Sequence, residues 1–338
     1  MSDCLLAAMR AAKGTPPAAR AAVSLAPAGP SVRLRKSTLA GGSAGTADGQ
    51  GAAAQFNNLN IALGPDDCVY VGDQGNNAIR KVSRSGVVST LAGRCDPDST
   101  AAPLDGRGAA ACFSAGWSIT RIAVDAQGNV YVVDHTLAGL RKVDPDGVVS
   151  TLLTPADFAG DNPVGVAVDG AGNLYLTVGN RVLKRDAQGR LSTLAGAERA
   201  DPMDEEYVDG PGEQARFSGL YGIAVAANGD LYVADTGNRR IRKIRPDGMV
   251  SSVGSELPKS PVGLAVDGAG HLYVADGGLR KFDAEGQPLV LLDGDGTPFS
   301  AASFGYASSV AVAADGCIYV GDAGYNRIER LLPVAAGS

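Results

Sequence analysis

Short apolar runs of Val, Ile, Leu, Ala and Tyr, separated by Gly, Asn, Asp and Pro, recur along the chain from residue 37 onward. Runs of this kind, bounded by turn residues, predict β-strands. They recur in one order: an apolar strand, a Gly-Asn turn, a Tyr-centred strand, a polar turn, a third strand rich in Arg and Lys, an Asp-Gly turn and a fourth strand. The clearest copy begins with Gly222-Ile223-Ala224-Val225, the turn Asn228-Gly229-Asp230 and Leu231-Tyr232-Val233-Ala234-Asp235. Asn238-Arg239, Ile241-Arg242-Lys243-Ile244, Pro246-Asp247-Gly248 and Val250-Ser251-Ser252-Val253 complete it. The anchor tyrosines are Tyr70, Tyr131, Tyr175, Tyr232, Tyr273 and Tyr319, spaced by 61, 44, 57, 41 and 46 residues. The shortest interval is one four-stranded unit, and the excess is inserted loop.

The turns carry their own chemistry. Asp125-Ala126-Gln127-Gly128-Asn129 predicts a tight hairpin with Gly at the positive-φ position. Asp144-Pro145-Asp146-Gly147 has the Pro and Gly placement of a type I turn. The first strand carries Ala at one register in all six copies: Ala62, Ala123, Ala167, Ala224, Ala265 and Ala311. Strands that converge on an axis leave little room there, and a larger side chain would overpack.

The sixth copy ends at Asn326-Arg327-Ile328-Glu329-Arg330-Leu331 without a fourth strand. Ser37-Thr38-Leu39-Ala40-Gly41 matches the fourth strands Ser89–Gly93 and Ser192–Gly196. The N-terminal segment is therefore expected to close the ring as the outer strand of the last blade. The predicted fold is all-β, a six-bladed β-propeller of four-stranded antiparallel blades with short, protected edges.

The Gly-Ile-Ala-Val, Tyr-Val-Ala-Asp, Asn-Arg and Ile-Arg-Lys-Ile elements resemble NHL repeats over residues 37–331. The resemblance implies a propeller shared by amidating lyases, relatives of strictosidine synthase, sensor domains of bacterial kinases, and protein- or RNA-binding modules. A shared fold does not carry function among them. The lyases of the family imply a zinc held by several histidines, and this chain has only His135 and His271, expected on opposite faces. The lactonase-like propellers imply a metal held by acids and an Asn around the channel. Here Asn60 is present at that level without an acid, so no metal or other cofactor is expected.

Composition changes the picture little. The net charge of −6 disfavours a nucleic-acid partner that depends on phosphate neutralisation. No apolar stretch is long enough for a membrane span. Residues 1–30 read as a flexible Ala/Pro-rich leader ahead of a single propeller, 31–338. They lack the pattern of a signal peptide, which favours the cytoplasm and leaves the compartment open. Cys95 and Cys112 flank one loop and could pair in an oxidising compartment or stay reduced.

Candidate chemistry lies where copies depart from the rule. Loops that lead into blades share the top face with the turn between second and third strands. Three of them carry Asp48-Gly49-Gln50-Gly51 with Phe56, Asp105-Gly106-Arg107-Gly108 with Phe113, and Asp209-Gly210-Pro211-Gly212 with Phe217. Asp293-Gly294-Asp295-Gly296 with Phe304 is a looser version. This motif reads as an ion-binding Gly loop or as a turn whose Phe anchors it, and its regular recurrence favours the anchor.

At the channel mouth the first inner-strand position is Gly165, Gly222 and Gly263 in three copies and Asn60, Arg121 and Ser309 in the others. Arg121 is the cationic outlier, preceded by Trp117, with Tyr221 as the matching neighbour on blade four. Asp134-His135 replaces the usual polar turn of blade two. Arg121, Trp117 and His135 could clamp an anionic or aromatic ligand. Asp134 could orient His135 as a general base. The alternative is that Asp134 caps a turn, as Asp73, Asp235, Asp276 and Asp322 would, and that His135 is solvated. Blades three and five have shortened turns at Gly179-Asn180 and Gly277-Gly278, which could open one side of the top face.

Two functions follow. One is a monomeric propeller that binds a small molecule or protein at its top face, with Trp117, Asn60, Tyr221 and Ser309 as ligand residues. The other is a metal-independent lyase, cyclase or isomerase using His135, Arg121 and Asp134.

Overall fold

In every blade the small inner-strand residue stands opposite the anchor tyrosine: Ala62 faces Tyr70, Ala123 Tyr131, Ala167 Tyr175, Ala224 Tyr232, Ala265 Tyr273 and Ala311 Tyr319. The small residue leaves room for the ring across the strand pair. The rings are buried against the next blade, Tyr70 with Ile122 and Val132, and Tyr232 with Leu272 and Val274. Tyr131, Tyr175 and Tyr273 also donate their hydroxyls to the hairpin carboxylates of Asp125, Asp169 and Asp267 at 3.0–3.1 Å. One side chain thus ties blade to blade and second strand to bottom turn.

A computed structural model describes residues 31–93, 102–114, 116, 119–135, 139–158, 160–197 and 207–334. Among these residues the strands form six blades around a central channel. Its wall is made by the inner strands Leu59–Leu63, Ile119–Val124, Pro163–Val168, Leu220–Val225, Gly263–Val266 and Ala307–Val312.

The closing strand is longer than the sequence pattern implies, Ser31–Gly41. Its second half pairs antiparallel with Arg327–Pro333 and completes blade six, as expected. Its first residues, Ser31 to Leu34, run parallel to Val290–Asp293 of blade five. This is possible because the fourth strand of blade five pairs with the third only at Lys281↔Leu289 and Phe282↔Pro288. Its free half takes the N-terminal strand, and blades five and six become one eight-stranded sheet.

The three Asp-Gly-x-Gly loops are fifth strands. Gly49–Gln50, Gly106–Arg107 and Gly210–Pro211 pair with the outer strands of blades one, two and four. They cover edges that would otherwise be open to pairing with another chain.

An arginine in the middle of the third strand locks each loop. Arg80 bridges Asp73 at 2.8 Å and Asp48 at 2.6 Å. Arg141 bridges Asp134 at 3.2 Å and Asp105 at 2.9 Å, and Arg242 bridges Asp235 at 2.9 Å and Asp209 at 2.6 Å. Each guanidinium lies over the loop phenylalanine: Phe56, Phe113 or Phe217, 4.9–5.5 Å from the ring centre. The loop aspartates also accept from the backbone N–H and hydroxyl of Thr90, Thr151 and Ser252. The motif is the anchor, as its recurrence suggested.

The other blades lack the complete lock. Blade three has Leu183 at the arginine position. Blade five has a half-exposed Arg280 on Asp276 alone. Blade six inverts the charge: Glu329 is buried and pairs with Arg327 at 2.7 Å, while Lys36 of the closing strand lies over Phe304.

Candidate ligand site at the channel mouth

The blades meet at the top of the channel through a ring of hydrogen bonds, each from one blade to the next. Asn60 donates to the Ile119 carbonyl at 3.2 Å, Thr120 to Val164 at 2.8 Å and Thr177 to Tyr221 at 2.7 Å. Thr236 donates to Pro261 at 2.7 Å, the Gly277 N–H to Ala307 at 3.1 Å and Ser308 to Leu59 at 2.9 Å. Glycine occupies the first inner position of blades three to five because the next blade's carbonyl presses on it. A Cβ on Gly222 would stand 2.5 Å from the Val262 oxygen, and one on Gly263 2.6 Å from the Ser308 oxygen; Gly165 is pressed the same way by Tyr221.

Most of the residues singled out in the sequence serve this ring. Asn60 is buried on the seam to blade two. Ser309 is buried and its hydroxyl accepts from the Ile61 N–H at 3.1 Å. His135 bonds through Nδ1 to the Pro163 carbonyl at 2.9 Å. Gln74 makes the same link to Ile119 at 2.6 Å and Thr236 to Pro261, so His135 is the blade-two form of a seam residue. Asp134 does not orient it. Its carboxylate, fully buried, accepts from the Ser114 N–H and Arg141. Burial raises the carboxyls of Asp134 and Asp235, and that of Asp73 to about 6, against the lowering pull of their arginines and hydrogen-bond donors. His271 sits on the bottom hairpin, Nδ1 to Asp267 at 2.9 Å, where Asn129 and Asn173 sit in other blades. Trp117 and Cys95 lie outside the described residues; Cys112 is buried.

Arg121 and Tyr221 are brought together. The guanidinium crosses the mouth from blade two. Nη1 donates to the Thr120 carbonyl at 2.9 Å, and Nη2 to Val262 of blade five at 2.9 Å and Ser308 of blade six at 3.2 Å. Its face lies 4.6 Å from the ring centre of Tyr221 on blade four. Below this bar the channel holds a cavity of about 40 Å³, walled by Ile61, Ile122, Val166, Ile223, Leu264 and Val310. That is room for about one water molecule. Burial draws the Arg121 guanidinium below its ordinary value, and no carboxylate pairs with it among the described residues. Tyr306, missed in the sequence, shares the mouth: burial raises its phenol, while the positive charge of Arg121 pulls it down. The signal for it was available. Tyr207, Tyr221, Tyr306 and Tyr325 are the tyrosines that stand off the repeat register.

No group of three or more His, Cys, Asp and Glu side chains able to hold a metal occurs among the described residues.

Comparison with known proteins agrees with the ring. The NHL repeat family matches residues 217–244, the copy that is clearest by eye. Teneurin-4 of Mus musculus is 28% identical over 272 residues, covering 73% of this chain but 9% of the teneurin. The chain thus spans under a tenth of that relative. Among solved structures, the gluconolactonase XC5397 of Xanthomonas campestris superposes with a TM-score of 0.60 at 18% identity, over 89% of this chain and 90% of the other. A chain of a nidogen/laminin complex superposes with a TM-score of 0.50 at 20% identity, over 68% and 78%. At such identities these structures speak for the fold alone. With the repeat matched, the ring closed by its N-terminal strand and six-bladed propellers among the solved structures it resembles, this chain is a six-bladed β-propeller that carries an NHL repeat.

Proposed function

We propose that this propeller is a recognition module that holds a small ligand, or the tip of a protein partner, on its top face over the channel mouth. The observation that carries the reading is the Arg121 bar. Pockets that enclose a small-molecule substrate run to roughly 300–1,000 Å³. The space beneath Arg121 is about 40 Å³, so a ligand sits above the bar. The residues that could have formed a base and its orienting partner are divided between two structural tasks, Asp134 on Arg141 and His135 on Pro163. An Asp–His base pair needs the two side chains in contact. The fold itself is neutral here, because the neighbours include a gluconolactonase and a chain of a nidogen/laminin complex.

The test is a fragment screen by ligand-observed NMR on the full chain and on Tyr221→Ala, with the same compounds and a panel of lactones and esters assayed for turnover. Binding that Tyr221→Ala removes, without turnover, is the expected result. Turnover that His135→Ala abolishes would replace this reading with the enzymatic one.

A further inference from the structure

Every carboxylate that the sequence places at the top of a second strand is already engaged. Asp73, Asp134 and Asp235 hold Arg80, Arg141 and Arg242. Asp276 holds Arg280 at 2.6 Å. Asp322 accepts from the N–H groups of Gly305 and Tyr306 at 3.0 and 2.8 Å, with Arg327 at 3.8 Å. The cations of the mouth have no such partner among the described residues. Among these residues Arg121 bonds only to neutral carbonyls. Lys259, exposed in the short loop that leads into blade five, makes no hydrogen bond or ion pair among the described residues. The hydroxyls of Tyr221 and Tyr306 likewise have no hydrogen-bond partner there.

The shortened turn of blade five brings these groups near one another. Gly277 has φ +86°, and the point where its Cβ would stand lies 3.5 Å from the Tyr306 ring and 3.6 Å from Lys259 Nζ. A side chain at this position would fill the space between the two. Tyr306 in turn feels the charge of Arg121 and the phenol of Tyr221. The mouth therefore gathers a guanidinium, an ammonium and two phenols. The first two donate hydrogen bonds and accept none; the phenols can donate. Asp276 is the acid that also faces Tyr306, and it is buried and committed to Arg280.

We infer that the ligand of this mouth carries an oxyanion, a carboxylate or a phosphate, held between Arg121, Lys259 and the hydroxyls of Tyr221 and Tyr306. The inference rests on the mouth being the recognition surface proposed above. An oxyanion supplies the acceptors and the charge that the site lacks. Guanidinium groups match the geometry of both anions, and charge-assisted hydrogen bonds are the stronger kind. The partly enclosed mouth weakens solvent screening and strengthens the attraction.

The experiment uses the full chain with citrate and inorganic phosphate as probes, by calorimetry and thermal shift, at constant ionic strength made up with chloride. Wild type is expected to bind at least one of them saturably. Citrate alone would identify a carboxylate ligand and phosphate alone a phosphate ester. Lys259→Ala should weaken binding about tenfold and Tyr306→Phe by several-fold, since each removes a donor to a charged ligand. Arg190→Ala, a change of the same charge at a distant exposed site, should leave it unchanged. Lys259 and Tyr306 are surface and rim positions, so these variants test the site without touching the bar. Equal binding by wild type, Lys259→Ala and Tyr306→Phe, or no binding of either anion, overturns the inference. If neutral compounds still bind in a Tyr221-dependent way, the recognition reading stands without it. If nothing binds there, both fall.

Discussion

The outer wall and the channel both take arginine out of water, and they treat it in opposite ways. On the wall, Arg80, Arg141 and Arg242 each meet two carboxylates and the face of a phenylalanine. In the channel, Arg121 meets three carbonyls and a tyrosine face, and no carboxylate among the described residues. A buried charge is costly unless paired. The wall pairs its cations within the chain, so they serve structure. The cation of the channel finds no such partner among the described residues, and the proposed ligand rests on this difference more than on the residue types.

The largest effect expected from breaking the comparison is on the wall. Arg242→Met leaves Asp235 buried without its cation and frees Asp209 from the third strand. Removing one partner of a buried ion pair costs about 3–5 kcal/mol. Urea unfolding should show a loss of that size, and hydrogen exchange should quicken at Val208 and Ser252, where the loop is tied. A loss below about 1 kcal/mol would mean that the phenylalanine packing, and not the ion pairs, holds the loop.

The next effect is a pH dependence of the same lock. Burial holds the Asp73 carboxyl at about 6, above its ordinary value of 3.8. The folded chain therefore keeps this proton to higher pH than the unfolded chain does. The stability that Asp73 supplies by this route is full below about pH 4, is lost as pH rises through 6, and is level above that. The unfolding free energy of wild type minus that of Asp73→Asn should fall, between pH 4 and 7.5, by an amount on the order of 2 kcal/mol. A rise over the same range would show that Arg80 and Asn76 outweigh burial and hold the carboxyl down.

The wall was half legible in the sequence and the channel less so. Strand alternation, turn chemistry and the unpaired sixth blade are local patterns, and they fix the ring and its closure. The Asp-Gly-x-Gly loops could be read as anchors because they recur. Their partners could have been found too: the copies with the complete motif carry Arg80, Arg141 and Arg242 mid-strand, while blade three has Leu183 and blade six Glu329. That rule depends on comparing copies across more than thirty residues of chain, and no single window holds it. At the mouth, Arg121 and Tyr221 stood out as exceptions to the repeat, and the structure brings them together. Asn60, Ser309 and His135 stood out equally and went to the seams. What decides between the two fates is the backbone of the next blade, whose carbonyls accept from Asn60 and from the ring of His135 and whose N–H donates to Ser309. Spacing along one chain does not reveal that neighbour. The same reason hid the parallel pairing of Ser31–Leu34 with blade five, which depends on a strand half freed from its own blade.

The smallest expected effect sharpens the comparison most. Arg121→Met repeats in the channel the substitution made on the wall, and the outcome should differ. The change leaves the Thr120, Val262 and Ser308 carbonyls short of a donor, at about 1 kcal/mol or less for each bond lost. Against this, it removes a desolvated charge that has no counter-ion among the described residues, and an apolar chain of similar volume often replaces such a charge without loss. The net change in unfolding free energy should stay within about 1 kcal/mol, measured by urea denaturation in chloride buffer beside Arg242→Met. A loss of 3 kcal/mol or more would make Arg121 a strut like those of the wall, and its unpaired charge would no longer argue for a ligand. A near-neutral result gives the charge no structural task, because the ring closes without it, and leaves it free for the recognition proposed above.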